Sequence, residues 1–245
     1  MGSRMAEKEL KNIALLIDAD NTTPRGIDPV LTVMAELGQV NIKRAYGNFT
    51  KKNLSGWDKY SHKFGILPYQ QFDMTTGKNA TDMAMTIDAI DLLYQGKVDG
   101  FGIMSSDSDF TPLATRLRQD GLIVYGFGSK NKTPDAFKSA CTRFIDIDAL
   151  IAGASDEPAP AKSKDKGEKS TIDDELVELL GTAWKAASRD EDGYAQMGEV
   201  GSLAGNRSSF DVRNYGFKRL SDLFQAIDQF KVERRDNGLY VKRLR

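Results

Sequence analysis

Short apolar runs alternate with amphipathic stretches over the first 150 residues, and no other feature constrains the fold of this chain as much. The runs are typical of strands in length and content, and the stretches between them have helical spacing. The predicted strands are residues 13–17, 40–46, 66–70, 98–104, 122–127 and 143–147. Such alternation predicts a doubly wound α/β domain with a mostly parallel sheet and helices on both faces. In this kind of sheet, ligands bind beyond the carboxyl ends of the strands.

A change of composition separates this region from the end of the chain. Residues 152–171 are rich in Ala, Pro, Ser, Gly and charged residues and have no large apolar side chain, which is typical of a flexible linker. Residues 172–245 then show three helical patterns followed by two β-like runs, which are joined by Arg235-Asp236-Asn237-Gly238. Because the Asn-Gly pair favours a tight hairpin turn, a small winged-helix domain is predicted there.

The residue inventory excludes several classes of protein. The chain has one cysteine and one histidine, so it has no intramolecular disulfide and no Cys/His zinc site. It also has no apolar run near the roughly 20 residues that cross a bilayer, and its first residues lack the apolar core of a secretory signal. We therefore expect a cytoplasmic protein without a membrane partner. The net charge of −1 means that any nucleic-acid site must be a local patch.

Acidic residues follow two of the predicted strands. Asp18 and Asp20 follow the first strand, Asp107 and Asp109 follow the fourth, and Asp82 lies in the first turn of a predicted helix. Each could simply cap a helix or turn. If the elements are neighbours, however, the carboxylates of Asp18, Asp82 and Asp107 converge and repel one another unless a cation binds. Oxygen ligands alone favour Mg²⁺ or Mn²⁺, and the chemistry indicated is metal-assisted phosphodiester hydrolysis.

The same segments carry a family resemblance over about residues 10–150. LLIDADN, NATDMAMTIDA, IMSSDSDFTPLATRLRQDG, VYGFG and AFKSACTRFIDID occur in this order and resemble the motifs of the NYN domain, a PIN-like ribonuclease family that includes LabA-like bacterial proteins. The resemblance implies a metal-dependent ribonuclease. It implies Asp18, Asp82 and Asp107 as metal ligands, directly or through water. It further implies that Asp109 supports the metal or orients a water, and that Asn21 binds a ligating carboxylate or a phosphate.

Other acidic and neighbouring positions are given supporting roles. Asp20 is placed beside the metal ligands. Asp88 matches a frequent family position, but it lies six residues after Asp82 and therefore about 120° away around the helix. We predict a structural or positioning role for Asp88. Ser106 stands where the family more often has glycine, which adds a side chain at the turn after the fourth strand.

Two lysine pairs are candidate contacts for RNA phosphates. Lys51 and Lys52 lie in the loop after the second strand, and Lys130 and Lys132 lie in the loop after the fifth. Phe49 and Trp57 are candidate stacking platforms for bases, although Trp57 as a core residue and a simple solvated loop are equally compatible with the sequence. His62 is expected at the surface without a catalytic role.

Residues 172–245 resemble the LOTUS domain, also called OST-HTH. The resemblance is carried by LVELLGTAWKAA, by NYGFKRLSDLFQAI and by the wing FKVERRDNGLYVKRL. It implies a module that binds RNA or docks a protein partner. The basic candidates for RNA contact are Arg213, Lys218, Arg234 and Arg235, and a solvated charged face is the alternative. Phe210, Phe217, Leu220 and Phe224 are predicted to form the core.

Together these features predict a metal-dependent ribonuclease, with the NYN domain at 10–150, the linker at 152–171 and the LOTUS domain at 172–245. One alternative is an adaptor that binds RNA without cleaving it. The second is a phosphatase of the haloacid dehalogenase type, because Asp18-Ala19-Asp20-Asn21-Thr22 imitates its DxDxT motif. That reading is disfavoured by the spacing of Asp107 and Asp109, which are separated by one residue.

Overall fold

The computed structural model describes residues 10–72, 80–154, 172–208 and 210–244. Contacts divide the chain into two units, Met1–Ile151 and Ala152–Arg245. Most of the predicted linker, residues 155–171, lies outside the described residues. The predicted domain limits therefore stay predictions, although residues 152–154 belong to a helix that the sequence did not indicate.

The first unit contains a six-stranded sheet. Its strands are β1 (Leu10–Asp18), β2 (Gly38–Gly47), β3 (Leu67–Gln70), β4 (Gly100–Met104), β5 (Ile123–Gly128) and β6 (Arg143–Asp146). Their order is β3-β2-β1-β4-β5-β6, and every pair is parallel. The predicted mostly parallel, doubly wound sheet is thus confirmed.

Helices cover the two faces of this sheet. They are α1 (Ile27–Leu37), α2 (Gly56–Phe64), α3 (Ala80–Tyr94), α4 (Thr111–Gln119), α5 (Asp135–Ala140) and α6 (Ile147–Ala154). Residues of α1, α2 and α6 pack into one apolar core, and residues of α3, α4 and α5 pack into another.

The central strand β1 explains why both faces are covered. Along it, Ile13, Leu15 and Ile17 enter the first core, whereas Ala14 and Leu16 enter the second, and all five are fully buried. A strand that alternates between two apolar layers has no solvent face, so its sequence is a continuous apolar run. This run therefore specifies a central strand.

Gly38 connects α1 directly to β2. Its φ of 155° lies in a region that favours glycine, and a Cβ atom there would collide with the carbonyl oxygen of Leu10 on the neighbouring strand. The glycine thus lets the helix end and the strand begin without a loop.

The second unit combines helices with a small antiparallel sheet. Its elements are α7 (Asp174–Ala186), β7 (Ala195–Gln196), α8 (Met197–Arg207), α9 (Leu220–Gln225), β8 (Phe230–Arg235) and β9 (Gly238–Arg243). The strand order is β7-β9-β8. Arg235 pairs with Gly238, so the predicted hairpin is present, but its two turn residues are Asp236 and Asn237, one position before the predicted Asn237-Gly238 pair. This arrangement agrees with the predicted winged helix.

The apolar centre of this unit includes most of the predicted core. Phe210 and Phe224 are buried, and Phe217 and Leu220 are partly buried against the same cluster. Asp173 caps α7 by accepting a hydrogen bond from the backbone N–H of Leu176 at 2.8 Å. Within the described residues of both units, no helix combines the length and apolarity that a membrane span requires.

Candidate metal centre

The acidic residues lie at the carboxyl edge of the sheet, where β1 and β4 are neighbours. After β1 the chain continues to β2 on one side, and after β4 it continues to β5 on the other. The connections therefore diverge here and leave a crevice, which is the usual ligand site of a doubly wound sheet.

Three carboxylates meet in this crevice. Asp82 comes from the first turn of α3, and Asp107 and Asp109 come from the segment after β4. One oxygen of each lies within 4.8 Å of the others. Asp82 and Asp107 are half-buried and Asp109 is exposed. Ligands on one Mg²⁺, at about 2.0–2.1 Å from the ion, lie roughly 3–4 Å apart, so this oxygen-only group fits a hard cation with little adjustment.

The segment after β4 is held in shape by its own side chains. Asp107 accepts a hydrogen bond from the backbone N–H of Asp109 at 2.9 Å, and the buried ring of Phe110 anchors the short 3-10 turn at 108–110. The capping reading of Asp107 and its place in the acidic cluster are therefore both correct, since one carboxylate has oxygens for both contacts.

Asp18 lies beside this cluster in the interior. It is fully buried, and it accepts hydrogen bonds from the hydroxyl of Ser105 at 2.8 Å and from the side-chain amide of Asn21 at 3.0 Å. Burial raises the pKa of the Asp18 carboxyl above its usual range, and the hydrogen bonds only partly oppose this. Of the three predicted ligands, the structure thus groups Asp82 and Asp107 with Asp109 and places Asp18 behind them.

Burial and neighbouring negative charges both act on the carboxyl of Asp82. Partial burial is the largest cause that raises the pKa of this carboxyl to about 6, and the negative charges of Asp18, Asp107, Asp109 and Asp20 add to it. Four carboxylates thus disfavour the charged form of a fifth. A bound metal ion would relieve this repulsion.

We expect Asp82→Asn to stabilise the metal-free protein above pH 6. The ordinary pKa of an aspartate is about 4, and in the folded protein the pKa of Asp82 is about 6. Between these two pH values the folded chain keeps a proton on Asp82 that the unfolded chain has lost. Folding stability therefore falls as pH rises through this window, and the amide removes the loss. After allowance for solvent screening at this half-exposed site, we expect Asp82→Asn to raise the free energy of unfolding at pH 8 by about 1 kcal/mol.

Thermal melts in EDTA from pH 4.5 to 8 would measure this effect. The melting temperatures of wild type and Asp82→Asn should differ least at pH 4.5, draw apart up to pH 6 and keep a constant difference above it. Asp91→Asn on the exposed side of the same helix is the matched control and should follow wild type. A variant less stable than wild type at pH 8 would show that Asp82 is not repelled by its neighbours.

Two hydroxyl side chains support the acids and were missed by sequence reasoning. Ser105 binds Asp18, and Thr81 donates a hydrogen bond to Asp20 at 2.9 Å. Asp20 also pairs with Lys51 at 3.4 Å. The available signal was position, because each hydroxyl stands within two residues of a candidate acid in the chain. Asn21 contacts a carboxylate, as the sequence predicts.

Asp88 lies apart from the metal candidates. Its carboxylate binds the guanidinium of Arg44 at 2.5 and 2.6 Å and accepts a hydrogen bond from the hydroxyl of Tyr46. Burial, followed by this contact with Asp88, raises the pKa of Tyr46. The arrangement supports the predicted structural role of Asp88, since it ties α3 to β2.

The loops around the crevice hold the other candidates of the first unit. Lys52 is exposed after β2, and Lys130 and Lys132 are exposed after β5. The hydroxyl oxygen of Ser106 accepts a hydrogen bond from the backbone N–H of Ser129 at 3.0 Å and so joins the loops after β4 and β5.

Trp57 is 1% exposed, which confirms the core reading of this residue and excludes it as a stacking platform. Phe49 is partly buried against the same core, and His62 is exposed as expected.

The basic candidates of the second unit divide into two kinds. Arg213 pairs with Asp211 at 3.1 Å, and Arg235 pairs with Asp190 and Glu233 at 2.6 Å each. The guanidinium of Arg235 also lies 4.7 Å from the ring centres of Tyr194 and Tyr240. These two arginines are therefore engaged by residues of their own unit. Lys218 and Arg234 are exposed and remain the better candidates for phosphate contact.

The sheet order and the acidic cluster at its divergence point define a PIN-like α/β domain. The NYN domain family model matches residues 12–148, more than half of the chain, and the OST-HTH/LOTUS domain model matches residues 167–241. The chain therefore belongs to the NYN domain family and carries a C-terminal OST-HTH/LOTUS domain. The NYN domain is part of the PIN-like nuclease superfamily, and LOTUS domains are associated with RNA binding.

This chain is similar to two further proteins. An uncharacterised protein of Methanocaldococcus jannaschii is 25% identical over 154 residues, which are 59% of this chain and 61% of that protein. The chain thus spans less than two thirds of the length of this relative. A crystal structure of a protein of unknown function from Vibrio parahaemolyticus has a TM-score of 0.49 and 19% identity, and the match covers 60% of this chain and 98% of that one.

Proposed function

We propose that this protein is a divalent-metal-dependent ribonuclease that hydrolyses RNA phosphodiester bonds in the crevice between β1 and β4. The observation that carries the proposal is the group of three carboxylates within 4.8 Å at the carboxyl edge of the sheet. Membership in the NYN family supports the substrate class.

The residues proposed to hold the metal are Asp82, Asp107 and Asp109. Asp18, placed behind them, is kept as a ligand directly or through water, and it adds negative charge from a buried position. Asn21 and Ser105 fix the orientation of Asp18 by donating hydrogen bonds to it. The oxygen donor set favours Mg²⁺ or Mn²⁺, which when bound would activate a water and stabilise charge on the phosphate.

The C-terminal unit is proposed to bring RNA, or a protein partner that carries RNA, to the crevice. Tethering would raise the effective concentration of substrate at the active site. Lys218 and Arg234 are the proposed phosphate contacts, because both are exposed, whereas Arg213 and Arg235 are held in ion pairs. Cytoplasmic location is part of this proposal.

The phosphatase alternative receives no support from the site. Both aspartates of its motif are already engaged, since Asp18 is fully buried under hydrogen bonds and Asp20 accepts from Thr81 and pairs with Lys51. A nucleophilic carboxylate must instead be open to its substrate.

Cleavage of an end-labelled single-stranded RNA by the purified protein tests the proposal. We expect cleavage with Mn²⁺ or Mg²⁺ and none with EDTA, because the carboxylates alone cannot neutralise the reacting phosphate. The Asp107→Asn variant, purified in the same way, controls for contaminating nucleases. If the wild type binds RNA but does not cut it with either metal, the adaptor reading replaces the ribonuclease.

A further inference from the structure

Phe72 is an exposed aromatic residue at the same sheet edge as the acidic cluster. It lies two residues beyond the end of β3, and 63% of its surface is exposed. Among the described residues of the first unit, Tyr94 is also a strongly exposed aromatic, but it ends α3, far along the helix from Asp82. Its exposed ring, on the same sheet edge as the candidate active site, is available to stack against a nucleic-acid base.

The backbone that carries Phe72 is firmly held. The N–H of Gln71 donates to the carbonyl of Gly47 at 3.0 Å and so extends the pairing of β2 with β3. The side chain of Gln70 accepts from the N–H of Phe49 at 3.0 Å and donates to Asn48 at 2.9 Å. The loops after β2 and β3 are thus joined by hydrogen bonds, and the backbone at Phe72 is held in place before any ligand binds.

The order of the sheet places the loop after β2 between this aromatic and the acidic cluster. Thr81, next to Asp82, binds Asp20, and Asp20 pairs with Lys51 in the loop after β2. Lys52 follows and is exposed. From the spacing of neighbouring strands, β3 lies about 12 Å from the midpoint of β1 and β4, a separation that a few nucleotides span. Lysines between an acidic centre and an aromatic ring match the backbone and base of one polynucleotide strand.

We infer that Phe72, with Lys51 and Lys52, forms a subsite that stacks an unpaired base of single-stranded RNA on the β3 side of the metal centre. This inference rests on the proposed ribonuclease function and specifies its substrate. A base in a duplex has no free face for the ring, so the subsite selects single strands over double strands. Stacking on one aromatic ring strengthens binding by about tenfold.

Fluorescence of Phe72→Trp in the full-length chain tests the inference at the subsite itself. We expect single-stranded oligouridylate, added in EDTA so that no cleavage occurs, to quench the introduced indole. The wild-type protein supplies the background from the buried Trp57 and from Trp184 in the other unit. An RNA duplex and an oligonucleotide with abasic positions should cause little quenching at concentrations that saturate the single strand.

Steady-state cleavage of the same RNA provides the second measurement. Phe72→Ala should raise KM about tenfold with kcat nearly unchanged, while Phe72→Tyr keeps the wild-type KM. Tyr94→Ala removes an exposed aromatic at the opposite end of α3 and is the matched control.

The outcomes of these experiments test the subsite inference and the ribonuclease proposal separately. If metal-dependent cleavage occurs but the indole does not respond and Phe72→Ala has the wild-type KM, the subsite inference is wrong and the ribonuclease stands. If the indole responds to single strands but no metal supports cleavage, the subsite stands as a binding surface and the ribonuclease falls. A response to duplex equal to that of single strands would also overturn the subsite.

Discussion

Asp107→Asn is expected to lower the rate of metal-dependent RNA cleavage by about a hundredfold or more, without unfolding the protein. Asp107 supplies one of the three clustered carboxylates, and an amide oxygen is a weaker, uncharged ligand for Mg²⁺ or Mn²⁺. The fold should survive, because the carbonyl of Asn can still accept the hydrogen bond from the N–H of Asp109.

Single-turnover cleavage at saturating enzyme would measure the chemical step. Asp58→Asn carries the same change of charge on α2, where the side chain is 82% exposed, and should keep the wild-type rate. Thermal melts of both variants would verify that they are folded. If Asp107→Asn cuts at the wild-type rate while it is folded, the acidic cluster is not the catalytic centre.

Removal of the Asp88 carboxylate should have the second large effect, and the effect should be on stability. Asp88→Ala leaves the guanidinium of Arg44 and the hydroxyl of Tyr46 without their partner, and Arg44 and Asp88 are only 22% and 19% exposed. Breaking such a pair by removing one side costs about 2–3 kcal/mol, since an unpaired charge stays partly buried. Because α3 also carries Asp82, loosening of this helix must be distinguished from the direct loss of a metal ligand.

Chemical denaturation would measure the free energy of unfolding, with Asp91→Ala as control. Asp91 is an exposed residue of the same helix, and its removal should change stability by less than about 0.5 kcal/mol. Raised metal concentration should restore cleavage by Asp88→Ala at temperatures where it is folded. Wild-type stability combined with lost cleavage would instead give Asp88 a role in catalysis.

Much of the fold could be predicted because its signals are local. The strand β1 is apolar at every position from Ile13 to Ile17, and the Asn237-Gly238 pair favours the hairpin of β8 and β9. The positions of Asp18 at the end of β1 and of Asp107 just after β4 could also be predicted, since parallel strands end at one edge. The helix α6 was missed, because its apolar residues continue directly from β6 without a turn signal.

The partners of single side chains could not be predicted in the same way. Trp57 and Phe72 are both aromatic residues near a loop, yet one is buried in the core and the other is exposed. Arg234 and Arg235 are neighbours in one strand, but their side chains emerge on opposite faces, and Arg235 meets Asp190 and two tyrosines there. These outcomes depend on residues distant in the chain.

The sequence by itself determined the alternation of strands and helices, the family, and the set of acidic residues that reach one sheet edge. These follow from periodicity and from order along the chain, which neighbouring residues encode. Only the tertiary structure decided that Asp109 joins Asp82 and Asp107 while Asp18 lies buried behind them. Distances between side chains on α3, β1 and the turn after β4 depend on how these elements pack, and packing is a property of the whole domain.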